Sequence, residues 1–340
     1  MDLKDIRKKA KGIMGGRCRM CPSCDGRACA GEVPGMGGSG TGASFKNAVN
    51  ALAEVTLNMR VIHDVIDPDL SCQVLGENLS LPVLGAPVAG VQINMGCEDI
   101  TEAEYCLDFV AGCADAGILG CFGDAVPDYF FEAGLAALQK TGGKGIPVLK
   151  PFDEEFLFPE LDQVAEAGAP MVGMDLDAAG LITPRLHGRP VYPKTPAQLK
   201  NIVEYTDLPL ILKGIMTPDE AQLAVDVGAK GIVVSNHGGR VMDHLPGTAT
   251  ALPAIADKVK GQITILVDGG IRYGIDVLKM LALGADAVMI GRPLAVAVLG
   301  GGQEGAKIYL ESLKSELYSA MILAACNSID SIGRHILYQG

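Results

Sequence analysis

Between residues 82 and 294 the chain repeats one theme: a short apolar run, a polar loop, then a stretch whose apolar positions recur at helical spacing. Eight of the runs read as strands: Pro82–Ala86, Ile118–Phe122, Ile146–Lys150, Pro170–Leu176, Pro209–Lys213, Lys230–Ser235, Ile263–Asp268 and Asp286–Ile290. They are apolar throughout rather than alternating, as parallel strands covered on both faces are. Capping boxes predict three helix starts, at Thr101…Glu104, Thr195…Gln198 and Thr217…Glu220. Pro196 and Pro218 sit at the first helical position, where a missing N–H costs nothing. Gly228 and Gly284 follow last turns as left-handed caps do. Eight strand–helix units predict an α/β fold of the closed (β/α)8, or TIM-barrel, kind. A doubly wound sheet needs fewer units and a G-x-G-x-x-G turn after its first strand, which this chain lacks.

The pattern differs at both ends. Residues 1–44 read as an N-terminal extension, rich in cysteine and then in glycine over 35–42, and residues 45–340 as the barrel domain. After Gly300–Gly302 a long C-terminal helix, about Gln303–Cys326, is predicted to pack under the barrel or against a partner subunit.

Composition narrows the function. No apolar run approaches the length of a membrane-spanning helix, and the basic stretch Met1–Arg17 lacks the apolar core of a signal peptide. A cytoplasmic location follows as the expectation. The net charge of −12 argues against general nucleic-acid binding, so an anionic ligand needs a local basic pocket. Of ten cysteines, six are scattered through apolar segments and read as buried, reduced thiols.

In such barrels chemistry collects at the C-terminal ends of the strands. Lys150, Asp175, Asp177, Lys213, Ser235, His237, Asp268 and Arg292 all fall at or just past strand ends. The sixth strand runs into Ser235-Asn236-His237-Gly238-Gly239-Arg240, which supplies a proton acceptor and an anion clamp at one mouth. Asp268-Gly269-Gly270-Ile271-Arg272 and Gly291-Arg292 follow the seventh and eighth strands, where barrels often bind phosphate through backbone N–H groups and arginines. The remaining cysteines, Cys18, Cys21, Cys24 and Cys29, are spaced C-x2-C-x2-C-x4-C. Such a run fits an iron–sulfur cluster, a zinc site, or a disulfide pair or free thiols. Lys8, Lys9, Lys11, Arg17 and Arg19 flank it and would offset thiolate charge or form a solvated helix face.

Together, Leu-Lys-Gly at 212–214, Ser-Asn-His-Gly-Gly-Arg at 235–240, Asp-Gly-Gly-Ile-Arg at 268–272 and Ile-Gly-Arg-Pro at 290–293 resemble the FMN-dependent α-hydroxy acid oxidase and dehydrogenase family. The resemblance covers about residues 45–335 and is strongest over Leu210–Leu294. It implies oxidation of a 2-hydroxy carboxylate of the lactate or glycolate kind to a 2-oxo acid, with a hydride equivalent passing to flavin N5. His237 would be the base, Asp177 its carboxylate partner, Arg240 the clamp on the substrate carboxylate and Lys213 the cation at the flavin N1/O2 edge. Asp175 would stand where the family has a threonine near the flavin. Pro87, Val88 and Ala89 would face the isoalloxazine ring. Ser235, Gly238, Asp268, Gly270, Arg272, Gly291 and Arg292 would complete the FMN site. The resemblance also implies a homo-oligomer, commonly a tetramer, and an electron acceptor that is oxygen, a quinone or a redox protein.

The substrate side departs from the family. No tyrosine stands in Val33–Gly38 or at the end of the third strand, where Lys150 would put a charge in place of a lost hydrogen bond. Phe122-Gly123-Asp124 stand where another aromatic often walls the pocket. The departure leaves two alternatives: a flavin barrel doing non-redox work of the isomerase kind, and an FMN-binding module without turnover.

Overall fold

The structure is a computed structural model and describes residues 1–180 and 188–338. The extension contributes α1 (Leu3–Ile13) and, after a long loop, leads into α2 (Ala43–Glu54). A short antiparallel hairpin, β1 (Cys72–Val74) and β2 (Glu77–Leu79), precedes the barrel. The alternation then begins with β3 (Val83–Gly85), α3 (Glu102–Asp115), β4 (Gly120–Gly123), α4 (Tyr129–Lys140), β5 (Gly145–Leu149) and α5 (Glu154–Glu166). It continues with β6 (Val172–Asp175), α6 (Pro196–Tyr205), β7 (Leu210–Ile215), α7 (Pro218–Asp226), β8 (Gly231–Val234) and α8 (Thr248–Val259). β9 (Thr264–Asp268), α9 (Gly274–Leu283), β10 (Ala287–Ile290) and α10 (Arg292–Leu323) complete it. β3 to β10 close into one parallel barrel, with β10 paired to β3. All eight predicted strands are present.

The strands carry two cores because successive side chains point to opposite faces. Leu84, Leu119, Ile146, Met171, Ile211, Val233 and Leu266 fill the barrel, and Val74 and Leu79 of the hairpin join the same cluster. Val83, Val172, Leu212, Ile232, Val234 and Val288 face the helical layer. The interior is therefore filled below, with a space of only about 10 Å³ among these side chains, and the main cavity lies beyond the strand ends.

Two of the three predicted capping boxes form, at Thr101 and Thr195. At Thr217 the side chain accepts no cap bond. The C-terminal helix starts earlier than predicted. α10 runs from Arg292, with Pro293 in its first turn and a break at Gly302 (φ 60°, ψ −151°). The glycines around 300 serve packing: a Cβ on Gly300 would stand 2.1 Å from the Ile6 carbonyl oxygen, and one on Gly305 2.2 Å from that of Ala297. α10 packs on α1, α3 and α9 in the outer layer. On α1 and its cap, Ile6, Ala10 and Met14 are wholly buried. Among the described residues no helix is long and apolar enough to cross a membrane.

Candidate active site

The strand ends surround a cavity of about 520 Å³, within the range of roughly 300–1,000 Å³ usual for cofactor and ligand sites. Its wall includes Pro87, Val88 and Ala89 after β3, Lys150 after β5, Asp175 at the end of β6, Lys213 in β7, and His237, Gly238 and Arg240 after β8. Asp268, Gly270, Arg272, Gly291 and Arg292 line the opposite end. Ser235 and Asp177 stand behind the surface.

The turn after β8 is tightly built. His237, Gly238 and Gly239 take left-handed φ values of 56°, 61° and 77°; for a histidine this is uncommon and needs support from its surroundings. Asn236 supplies part of it: its Oδ1 accepts the Gly239 N–H at 3.1 Å, and its Nδ2 donates to the Pro246 carbonyl at 3.2 Å. Ser235 supplies the rest. It is fully buried, accepts the His237 N–H at 3.0 Å and donates to Asp268 Oδ2 at 2.9 Å. Its place is thus to hold the turn and the β9 carboxylate.

His237 Nδ1 lies 2.8 Å from Asp177 Oδ1 and 3.4 Å from Asp175 Oδ1. The ring is 22% exposed, toward the cavity. With Nδ1 donating to Asp177, Nε2 is the free acceptor of the neutral ring. Gly214 makes this approach possible: at φ 105°, a Cβ there would stand 2.6 Å from Asp177 Cβ. Lys213 Nζ bonds Asp175 Oδ1 at 2.7 Å and approaches Asp177 Oδ2 at 3.5 Å, and Lys150 Nζ bonds Asp175 Oδ2 at 2.5 Å. Asp175 is therefore the hub of the array. Lys150 commits one N–H and its charge to that buried carboxylate, because an unpaired buried carboxylate is far costlier than a paired one. Buried Asp124 stands beside it and accepts the Lys150 N–H at 3.0 Å.

The shifts follow from this crowding. Burial disfavours the Asp175 carboxylate, but His237, Lys150 and Lys213 hold its pKa well below the usual range. Burial likewise opposes a charged His237; the Asp175 charge outweighs it, Lys213 pulls back, and the net direction is upward. Lys213 is buried too, yet the carboxylates Asp175, Asp177 and Asp268 push it above the ordinary lysine value. Burial drives Asp124 up to about 6. Burial, then the charges of Arg240 and Arg272, push Arg292 down to about 9, a standing demand for an anion.

Sequence reasoning missed what holds the arginines. Arg292 Nε donates to the Met36 carbonyl at 2.8 Å and its Nη2 to Gly37 and Gly238 at 3.0 and 2.9 Å, while its plane lies 4.0 Å from the Phe45 ring centroid. Arg240 donates to the carbonyls of Gly35 and Gly37 and, at 3.0 Å, to Asn94 Oδ1. Arg272 Nη2 donates to the Cys24 carbonyl at 3.2 Å. Residues 24–37 thus strap across the arginine end, and Val33 to Met36 line the cavity. These contacts join positions some two hundred residues apart in sequence, so no local pattern announces them.

The four clustered cysteines are half-buried, and all ten cysteines are free. Among the described residues, Asp175, Asp177 and His237 form the one group of three potential ligands within 4.8 Å of one another, so no three of the four sulfurs converge that closely. A tetrahedral zinc with bonds of about 2.3 Å needs sulfurs about 3.8 Å apart. The segment does not fit a single ion, and the disulfide alternative is not formed.

The cavity fits FMN on its own chemistry. The partly buried Arg272 and Arg292 answer a phosphate dianion. Arg272 Nε and Asp268 Oδ1 are buried without a partner at the same end. Lys213 is a fixed cation in the floor.

Known proteins agree with this geometry. The model of the FMN-dependent dehydrogenase family matches residues 35–185 and 187–339. An L-lactate dehydrogenase of Xanthomonas campestris pv. campestris is 31% identical over 346 residues, 87% of this chain and 89% of the relative. One of Alcaligenes faecalis is 33% identical over 361 residues, 88% and 92% of the two chains. Among solved structures, mandelate oxidase with benzoyl-formic acid superposes with a TM-score of 0.79 at 30% identity, covering 99% of this chain and 97% of that one. A mandelate oxidase variant carrying a C4a-OH-FMN adduct gives 0.76 at 30% identity, covering 96% and 97%. The family model covers nearly the whole barrel, and these relatives are at least 30% identical over most of both chains: the chain belongs to the FMN-dependent dehydrogenase family.

Proposed function

We propose that the chain oxidises a 2-hydroxy carboxylate to the 2-oxo acid with FMN, and that His237 is the base. The observation that carries this is the His237–Asp177 pair at 2.8 Å, facing a cavity that also presents Lys213 and Arg240. Bound there, FMN supplies the acceptor for the two electrons of the α-carbon. Arg272, Arg292 and the backbone at Gly270 and Gly291 hold its phosphate, Pro87 to Ala89 wall the ring, and Lys213 balances negative charge that develops on it. Arg240 takes the substrate carboxylate bidentately. His237 Nε2 accepts the hydroxyl proton, and Asp177 and Asp175 stabilise the imidazolium that results. The cavity wall also holds Val33, Met36, Ile93, Val126 and Phe130, which give the substrate's own side chain an apolar surface to meet.

The test is an absorption spectrum of protein purified without oxygen, before and after a panel of 2-hydroxy acids. Bleaching of the oxidised-flavin bands by one or more of them is expected. A flavin that no 2-hydroxy acid bleaches overturns the reading.

The second carboxylate gives a pH prediction. A base must be neutral to accept a proton, so kcat/KM climbs with pH through the His237 pKa, which Asp175 raises. In Asp175→Asn that support is lost while the two lysines remain, so the acidic limb of the profile moves to lower pH. A limb that does not move would show that Asp175 leaves the base untouched.

A further inference from the structure

We propose that Cys18, Cys21, Cys24 and Cys29 ligate a four-iron iron–sulfur cluster beside the phosphate end of the cavity, and that it gives the electrons of substrate oxidation a one-electron exit to a redox protein.

Three observations point there. The first is the spacing read against the geometry. Three cysteines two residues apart with a fourth nearby match cluster-binding runs, while the failure of the sulfurs to converge excludes a single tetrahedral ion. A cubane asks for less convergence, because each thiolate binds a different iron. The second is the backbone. Met20, between Cys18 and Cys21, holds a left-handed φ of 50°, rare for a residue with a side chain, and its sulfur lies 3.9 Å from the Cys18 sulfur. The bend turns the chain between the first two cysteines of the run. The third is the placement. Arg272 Nη2, which reaches the cavity, lies 3.6 Å from the Cys24 sulfur, and Cys29 lies near enough to Arg240 and Arg292 for its charge to act on both. The segment is keyed firmly into this wall: a Cβ on Gly37 would stand 1.8 Å from the Cys29 carbonyl oxygen, and Arg7 binds the Cys21 carbonyl at 2.9 Å. Arg7 and Arg272 thus stand beside the segment as cations.

The reaction balances as follows. One 2-hydroxy acid becomes one 2-oxo acid and gives up two electrons and two protons: His237 takes the hydroxyl proton, and the α-hydrogen would leave with the electron pair as a hydride equivalent to bound FMN, its proton passing to solvent as the flavin is reoxidised. The cluster cycles by one electron at a time and delivers both electrons to two equivalents of a one-electron carrier protein. The electron-flow half of the proposal rests on the function proposed above; the metal site does not.

The test uses the full chain purified without oxygen. Iron, acid-labile sulfide and zinc are counted per chain, and an electron paramagnetic resonance spectrum is recorded after dithionite. About four irons and four sulfides per chain, with a reduced-cluster signal, are expected. Zinc without sulfide, or a chain free of metal, overturns the proposal without any variant. Cys21→Ser, which leaves the arginines and His237 alone, should lose iron, sulfide and signal, keep its flavin and its bleaching by substrate, and lose reduction of cytochrome c, used as the one-electron probe. Equal cytochrome reduction by wild type and Cys21→Ser would overturn the exit route. Iron and sulfide in a protein whose flavin no 2-hydroxy acid bleaches would keep the cluster and remove the proposed substrate class.

Discussion

Exchange of His237 for Asn is expected to lower the rate of flavin bleaching by a 2-hydroxy acid about a thousandfold, roughly 4 kcal/mol of transition-state stabilisation. Asn is the substitution of choice because it tolerates the left-handed φ of 56° at this position, so the turn keeps its shape and Ser235 keeps its bond to the backbone. Its amide has neither the reach nor the basicity to take the hydroxyl proton. Stopped-flow absorption under anaerobic conditions reads the effect. Flavin content should stay at the wild-type level, since the phosphate end does not depend on the imidazole. A variant that bleaches within tenfold of wild type would remove His237 from the role of base.

The second large effect falls on stability. Lys213→Met should destabilise the fold by about 3–5 kcal/mol, the usual result of deleting one partner of a buried ion pair. Lys213 sits between Asp175 and Asp177 with a side chain only 5% exposed, and its loss leaves Lys150 alone to offset two carboxylates and the ring they hold. Removing a carboxylate as well should restore part of the loss, so Lys213→Met with Asp175→Asn should be more stable than Lys213→Met alone. Chemical denaturation of the three variants forms a double-mutant cycle that reads the coupling directly. Additive losses would show that the lysine and Asp175 do not depend on each other.

The strands were legible because buried parallel strands leave a simple trace: Gly231-Ile232-Val233-Val234 and Thr264-Ile265-Leu266-Val267 are apolar on both faces, and polar residues begin where each strand meets the cavity. The motif around His237 was legible for the same reason, since one short segment carries the whole turn. Local signals failed where two uses compete for one residue type. Thr217 and Glu220 spell a capping box, yet with Asp219 also in the first turn no cap bond forms at Thr217. The glycines at 300–302 read as a pause between elements, whereas Gly300 is small because the backbone of α1 lies against it. The ion-pair pattern was out of reach altogether. Whether Lys150 serves a substrate or a carboxylate depends on the distance between two neighbouring strand ends, and β5 and β6 fix that only once the barrel closes.

The contact between Gly300 and α1 also sets an order of events in synthesis. Ile6, Ala10 and Met14 are made long before α10, which packs along α1 and whose Gly300 lies against the Ile6 backbone. Until that helix emerges the first one has a naked apolar face, and so distant a pairing is slow and exposed to aggregation. The newborn chain must therefore wait, partly folded, for α10; chaperone demand and sensitivity to truncation ahead of that helix are costs built into the way α1 and α10 interlock.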